Sequence, residues 1–259
     1  MQKPIGLFDS GVGGTSIWKE VRQLLPNEST IYLADSKNAP YGVKSNETIL
    51  DLSIKNTEFL LDYGCKLIVV ACNTATTNAI DYLRKHYNVP FIGIEPAIKP
   101  AALHTMTKKV GVLATKGTLA SSLFHSTSKL YAEGITIFEQ EGTGLVELIE
   151  AGKSRSGETK ALLETYVNPM LKEGIDRLVL GCTHYPYLIP LLTKILPPLV
   201  EILDSGAAVA RQTKAVLEKN GLLNLAMDKN THTLYSNTNT SVLKTLVDAD
   251  DAIIETRDF

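Results

Sequence analysis

The sequence predicts an α/β protein built as two similar half-domains, each a parallel sheet covered by helices, with a functional site in the cleft between them. Three observations carry this. Short apolar runs alternate with longer amphipathic stretches, the rhythm of β-α-β units around buried parallel strands. The stretch LIVVACNTAT (Leu67 to Thr76) is echoed by LVLGCTHYP (Leu178 to Pro186), each an apolar run, then a cysteine, then small polar residues opening a helix. Polar residues cluster directly after the apolar runs, where ligands of parallel sheets bind.

The predicted strands are Ile5 to Phe8, Thr30 to Leu33, Leu67 to Ala71, Val89 to Ile94, Val110 to Ala114, Ile135 to Phe138, Arg177 to Leu180 and Leu199 to Leu203. Helical patterns lie between them, such as Thr48 to Tyr63 and Lys160 to Leu171. A crossover between the halves is expected at Pro96 to Pro100 and a return near Asp204 to Ala207. This assigns residues 1–97 plus 207–259 to the first half and 98–206 to the second.

With 259 residues, 44% hydrophobic and 21% charged, the chain has the apolar material for one large core or two modest ones. The formal net charge of −2 offers no basic excess for a phosphate backbone, so nucleic acid is not an expected partner. No apolar run approaches the ~20 residues of a membrane helix. The N-terminal MQKPIGLFDSG lacks the apolar stretch of a signal peptide, so a cytoplasmic protein is expected. In that compartment a disulfide framework is not expected, and no pair of Cys65, Cys72 and Cys182 has zinc-site spacing.

The candidate site lies at the strand ends: Asp9 to Gly14, then Asp35 with Pro40-Tyr41-Gly42, Cys72 to Thr76, Thr115 and Thr118, Cys182 to Pro186, and Asp204 to Gly206. Small hydroxyl-bearing and ionisable groups suit a small polar ligand. Cys72 and Cys182 each fall where a strand ends and a helix begins, a place that lowers a thiol pKa. One thiol suggests covalent catalysis. Two, from opposite halves, suggest a proton taken from one face of a carbon and returned to the other. Asp9 is placed to assist Cys72, and His184 to assist Cys182. Helix-start N–H groups with Asn73, Thr74 and Thr183 suit a carboxylate. Taken singly, Cys72 and Cys182 read equally well as small buried hydrophobes; Cys65, at a strand entrance, reads as a core residue.

GLFDSGVGGTS (Gly6 to Ser16), APYG (Ala39 to Gly42), VVACNTAT (Val69 to Thr76), VGVLATKGT (Val110 to Thr118) and LVLGCTHYP (Leu178 to Pro186) resemble, in order, the signature segments of the aspartate/glutamate racemase family. The resemblance implies cofactor-independent interconversion of L- and D-glutamate, supplying D-glutamate for peptidoglycan. It also implies two α/β domains with the site between them, and a homodimer. By the same resemblance Cys72 handles the proton of D-glutamate and Cys182 that of L-glutamate. Substrate contacts fall to Asp9, Ser10, Pro40, Tyr41, Gly42, Asn73, Thr74, Thr115, Thr118, Thr183 and His184. Asp35 and Glu150 match acidic positions of the family. Thr15 and Trp18 replace commoner aliphatic residues, as packing changes on the first helix. Glu147 stands where a proline is frequent, so the place of Glu150 is open, and a solvated helix face is an equal reading of both glutamates.

Two other classes compete. Gly11, Gly13 and Gly14 after a first strand, with Asp35 ending the second, suggest a dinucleotide site, although Ser16 breaks the third glycine and Asp9 would put a carboxylate beside a pyrophosphate. A non-catalytic amino-acid-binding protein is the other. Aspartate or another acidic amino acid is the alternative substrate, because one methylene changes discrimination by only ~1–3 kcal/mol.

Overall fold

The structure is a computed structural model describing residues 3–131, 133–225 and 230–259. Among the described residues, ten strands form two sheets. The first contains β1 (Ile5–Asp9), β2 (Thr30–Ala34), β3 (Leu67–Val70), β4 (Phe91–Ile92), β9 (His232–Ser236) and β10 (Ala252–Thr256), in the order β10-β9-β2-β1-β3-β4. The second contains β5 (Lys109–Ala114), β6 (Thr136–Glu141), β7 (Arg177–Gly181) and β8 (Glu201–Leu203), in the order β6-β5-β7-β8. Every pairing is parallel. The eight predicted strands all exist, with the run at Val89 to Ile94 shortened to Phe91–Ile92. The sequence reading missed β9 and β10. β10 is an edge strand and mostly solvent-accessible, so it lacks the continuous apolar run of a central strand.

Alternation within the strands builds the core. Ile5, Leu7, Leu67 and Val69 face one side of the first sheet, and Phe8, Ile68 and Val70 face the other. The first group joins Leu113, Leu178 and Leu180 of the second sheet in a single apolar cluster. The register then aligns the carboxyl ends. Asp9 lies opposite Ala34 and Phe8 opposite Val70, while Ala114 lies opposite both Gly181 and Glu141. The loops that leave these ends therefore gather in one place.

The chain crosses between sheets after β4 and again after β8. The two crossings lie side by side, with the Ser205 hydroxyl donating to the Glu95 carbonyl. Among the described residues no helix is long and apolar enough to cross a membrane.

Candidate active site

Helix caps place the polar groups. Cys72 ends the extended segment of β3 and caps helix Asn73–His86, its Sγ accepting from the Ala75 N–H at 3.4 Å. Thr115 caps the short helix Lys116–Leu119 in the same way, accepting from the Thr118 N–H at 3.3 Å. Cys182 follows β7 directly. Cys72 and Cys182 line one pocket of about 10 Å³ together with Ser10, Pro40, Tyr41, Gly42, Asn73, Thr74, Thr115, Val146, Thr183 and His184. Eleven of these twelve residues stand among the sequence candidates; Val146 was missed, because an aliphatic residue on an amphipathic helix carries no chemical signal.

The Cys72 side is a thiol environment. Its Sγ lies 3.7 Å from Ser10 Oγ. Burial, and then the negative charge of Asp9, push the Cys72 thiol well above the ordinary range. The expectation of a lowered value from the helix start is thus reversed here, since the Ala75 N–H does not offset desolvation. Asp9 is fully buried, and burial raises its pKa against the opposing His184 charge and the Gly14 N–H. Asp9 Oδ2 accepts from the N–H groups of Gly11 at 3.2 Å and Gly14 at 2.9 Å, and Oδ1 accepts from the Thr183 hydroxyl at 3.2 Å. Asp9 therefore links the glycine loop to the Cys182 segment.

The Cys182 side is an ion-paired one. His184 Nδ1 faces Cys182 Sγ at 3.8 Å, and Nε2 faces Glu150 Oε1 at 2.6 Å. An ionised carboxylate only accepts, so the shorter contact puts the Nε2 proton toward Glu150, and the Gly13 N–H, 3.2 Å from the same nitrogen, is a close neighbour rather than a donor to it. Burial alone lowers the His184 pKa; the hydrogen bonds with Cys182 and Glu150 and the charge of Asp9 outweigh it and hold the imidazole well above its usual value. Desolvation likewise raises Glu150, but the His184 hydrogen bond and charge and the Val12 and Ser36 donors bring it below the ordinary range. Glu150 accepts from the Val12 N–H at 2.7 Å and the Ser36 hydroxyl at 2.9 Å. Glu150 is therefore the acidic partner of His184, while Glu147 lines an adjoining cleft with Glu141 and Lys116. Ser36 was missed; its position directly after Asp35 was the available signal.

Like Asp9 and Glu150, Asp35 and Thr118 stand behind the pocket rather than on its wall. Asp35 accepts from Tyr41 Oη at 2.5 Å and from Asn38 at 2.8 Å, so it holds Tyr41. Thr118 is fully buried behind Thr115, with 3.0 Å between the hydroxyls. Thr115 in turn meets Thr74 of the other half at 3.1 Å. Among the described residues, the buried Asn73 Nδ2 has no hydrogen-bond partner; a satisfied interior rarely leaves such a donor, and a pocket-lining one is available to a ligand. Cys65 lies apart, against Gly6 and under Leu60, with its thiol pushed up to about 12 by burial.

The glycine loop is explained by close approach, not by a nucleotide. A Cβ at Gly11 would fall 1.9 Å from Glu150 Oε1, and one at Gly13 would fall 2.2 Å from His184 Nδ1. The Gly11 and Gly14 N–H groups serve Asp9 and that of Val12 serves Glu150. Carboxylates of the chain itself hold the donors a pyrophosphate would need.

Comparison with known proteins agrees with this architecture. Residues 14–213 match the family model for Asp/Glu/hydantoin racemases. The chain is 52% identical over 222 residues to a glutamate racemase of Herpetosiphon aurantiacus, covering 86% of this chain and 87% of the relative. The crystal structure of Escherichia coli glutamate racemase, in complex with L-glutamate and an activator, superposes with a TM-score of 0.86 at 36% identity, covering 97% of each chain. That of Francisella tularensis glutamate racemase with D-glutamate gives 0.85 at 29% identity, covering 99% of this chain and 98% of the other.

Proposed function

The chain belongs to the Asp/Glu/hydantoin racemase family, and on that premise we propose that it interconverts L- and D-glutamate without a cofactor, by proton transfer between Cα and two cysteines. The observation that carries the reading is the placement of Cys72 and Cys182, from different sheets, on one enclosed pocket with unlike surroundings. One thiol must be ionised and the other protonated for each turnover. In the L-to-D direction, the Cys182 thiolate removes the Cα proton while the electron pair delocalises into the α-carboxylate. The Cys72 thiol then delivers its proton to the opposite face. The pair ends in the reverse protonation state, ready for D-glutamate. His184, proton-bearing and paired to Glu150, stabilises the Cys182 thiolate. Burial favours the protonated form of Cys72, the donor in this direction.

Asn73 Nδ2 supplies an unused donor for a substrate carboxylate, and the start of helix Asn73–His86 favours the same charge. A pocket of about 10 Å³ has room for roughly one water, so substrate binding requires the Thr74–Thr115 contact between the halves to part. Substrate contacts are assigned to Asp9, Ser10, Pro40, Tyr41, Gly42, Asn73, Thr74, Thr115, Thr118, Thr183 and His184, Asp9 and Thr118 acting from behind the pocket wall. The halves divide as 1–97 plus 207–259 and 98–206. A homodimer in the cytoplasm, supplying D-glutamate for peptidoglycan, completes the reading.

Racemisation of L- and D-glutamate in deuterated water is the test. Two monoprotic bases place solvent deuterium in the product enantiomer well before it appears in recovered substrate. Equal early labelling of both enantiomers would refute the two-base route, and no racemisation at all would favour an amino-acid-binding role.

A further inference from the structure

Two hydroxyls outside the pocket lie on a path that leads back to His184. Thr15 opens helix Thr15–Leu24 and is fully buried. Its Oγ1 lies 2.6 Å from the Val12 carbonyl and 2.5 Å from Tyr187 Oη. A carbonyl only accepts, so the single Thr15 proton goes to Val12 and the Tyr187 O–H donates to Thr15. Burial pushes the Tyr187 phenol well up, which keeps that proton in place. Tyr187 belongs to the turn Tyr185–Leu188, and its N–H donates to the His184 carbonyl at 3.2 Å. From Val12 the path continues through its N–H to Glu150 at 2.7 Å, and from Glu150 to His184 at 2.6 Å.

The contacts close a ring: His184, Glu150, Val12, Thr15, Tyr187, and His184 again. It passes between the two halves twice, at Glu150–Val12 and at Thr15–Tyr187. Packing does not demand these hydroxyls, because a phenyl ring and a valine would fill nearly the same space, and buried hydroxyls cost free energy unless paired. A second tie runs alongside, from the Ser16 hydroxyl to the Thr183 carbonyl at 2.9 Å.

We propose that Thr15 and Tyr187 are positioning residues for the Cys182 step: their hydrogen bond closes the ring when the halves meet and holds the Glu150–His184 pair against the Cys182 thiol. The proposal rests on the racemisation reading. Loss of the hydroxyls acts through His184, so it slows proton removal from L-glutamate more than it weakens binding.

The experiment compares Tyr187→Phe, Thr15→Val and Thr15→Ser with the wild-type protein. It measures kcat and KM with L-glutamate, the kinetic isotope effect with deuterium at Cα, and Tm. Tyr187→Phe and Thr15→Val should each lower kcat roughly tenfold, with KM within about twofold, as misplacement of a catalytic group does. The isotope effect should rise above the wild-type value, because removal of the Cα proton becomes more rate-limiting. Thr15→Ser keeps the hydroxyl and should restore kcat. A purely structural role would lower Tm and leave the isotope effect unmoved. Unchanged kcat and isotope effect in Tyr187→Phe, or Thr15→Ser as impaired as Thr15→Val, overturns the proposal. If Thr15→Val fails to fold, Tyr187→Phe, which removes one oxygen from the same contact, decides the matter. Wild-type protein without racemase activity would sink the reading of the site itself, before any variant is compared.

Discussion

Replacing Gly13 by alanine separates catalytic geometry from stability more sharply than removing a catalytic group does. The added Cβ would sit 2.2 Å from His184 Nδ1, 2.4 Å from Cγ and 2.6 Å from Cε1. Against an ordinary contact of 3.4 Å, the first of these falls short by about 1.2 Å. The imidazole is buried, and Glu150 blocks its Nε2 side at 2.6 Å. The ring or the loop must therefore shift by about an ångström, which changes the 3.8 Å approach of Nδ1 to Cys182. Overpacking of this kind costs about 1–3 kcal/mol. At about 2–4 °C per kcal/mol for chains near this size, Tm should fall by roughly 2–12 °C. A displacement of about 1 Å at a catalytic group costs on the order of 100-fold in rate. The assay is polarimetric racemisation of L-glutamate beside thermal unfolding. Gly157→Ala, where nothing lies within 4 Å of the new Cβ, is the control and should leave activity intact. A Gly13→Ala protein with wild-type kcat would show that His184 is not seated against this loop, and the assignment of His184 to the Cys182 step would fall with it.

Other outcomes follow from the same geometry. Cys72→Ser and Cys182→Ser should each abolish racemisation to within assay limits, whereas Cys65→Ala should keep wild-type kcat; steady-state kinetics on the three proteins distinguishes them. Asn73→Ala removes a donor unpaired in the free protein, so Tm should hold while kcat/KM falls about 10- to 150-fold, the value of one hydrogen bond to a charged group. The Glu150–His184 pair should shape stability against pH. The lowered Glu150 contributes stability above its unfolded value near 4.5, lost as pH falls through the folded value; the raised His184 contributes below 6.5, lost as pH rises through its own folded value. Both contributions are present between those limits. Glu150→Gln should therefore lower Tm most between about pH 5 and 6.5, and equal loss at all pH values would count against an ionised pair.

The site was legible where chemistry and strand ends coincide. Cys72, Cys182, Asn73, Thr74, Thr183 and His184 all follow buried runs, and parallel sheets bring such positions together by construction. Glu150 was not decidable, because its place on helix Leu145–Glu150 gives it no local mark; only the approach of Val12, 138 positions away, and of His184 makes it a buried acceptor. Thr15 shows the opposite error. It reads as a packing change on a helix, yet its hydroxyl bonds Tyr187 across the cleft. Thr118, expected among the substrate contacts, and Asp35, expected only as an acidic position of the family, stand one residue behind the pocket, holding Thr115 and Tyr41.

By itself the sequence determined the parallel α/β architecture in two halves, which follows from periodicity along the chain; it offered Cys72 and Cys182 as a pair through their strand-end places together with the family resemblance. Only the tertiary structure decided what surrounds each thiol. It assigned Glu150 rather than Glu147 to His184, turned the glycine loop from a phosphate motif into a seat for that pair, and raised the Cys72 thiol where the helix start alone would lower it. Desolvation and contacts between distant residues depend on which surfaces meet, and that is settled when the two halves close on each other.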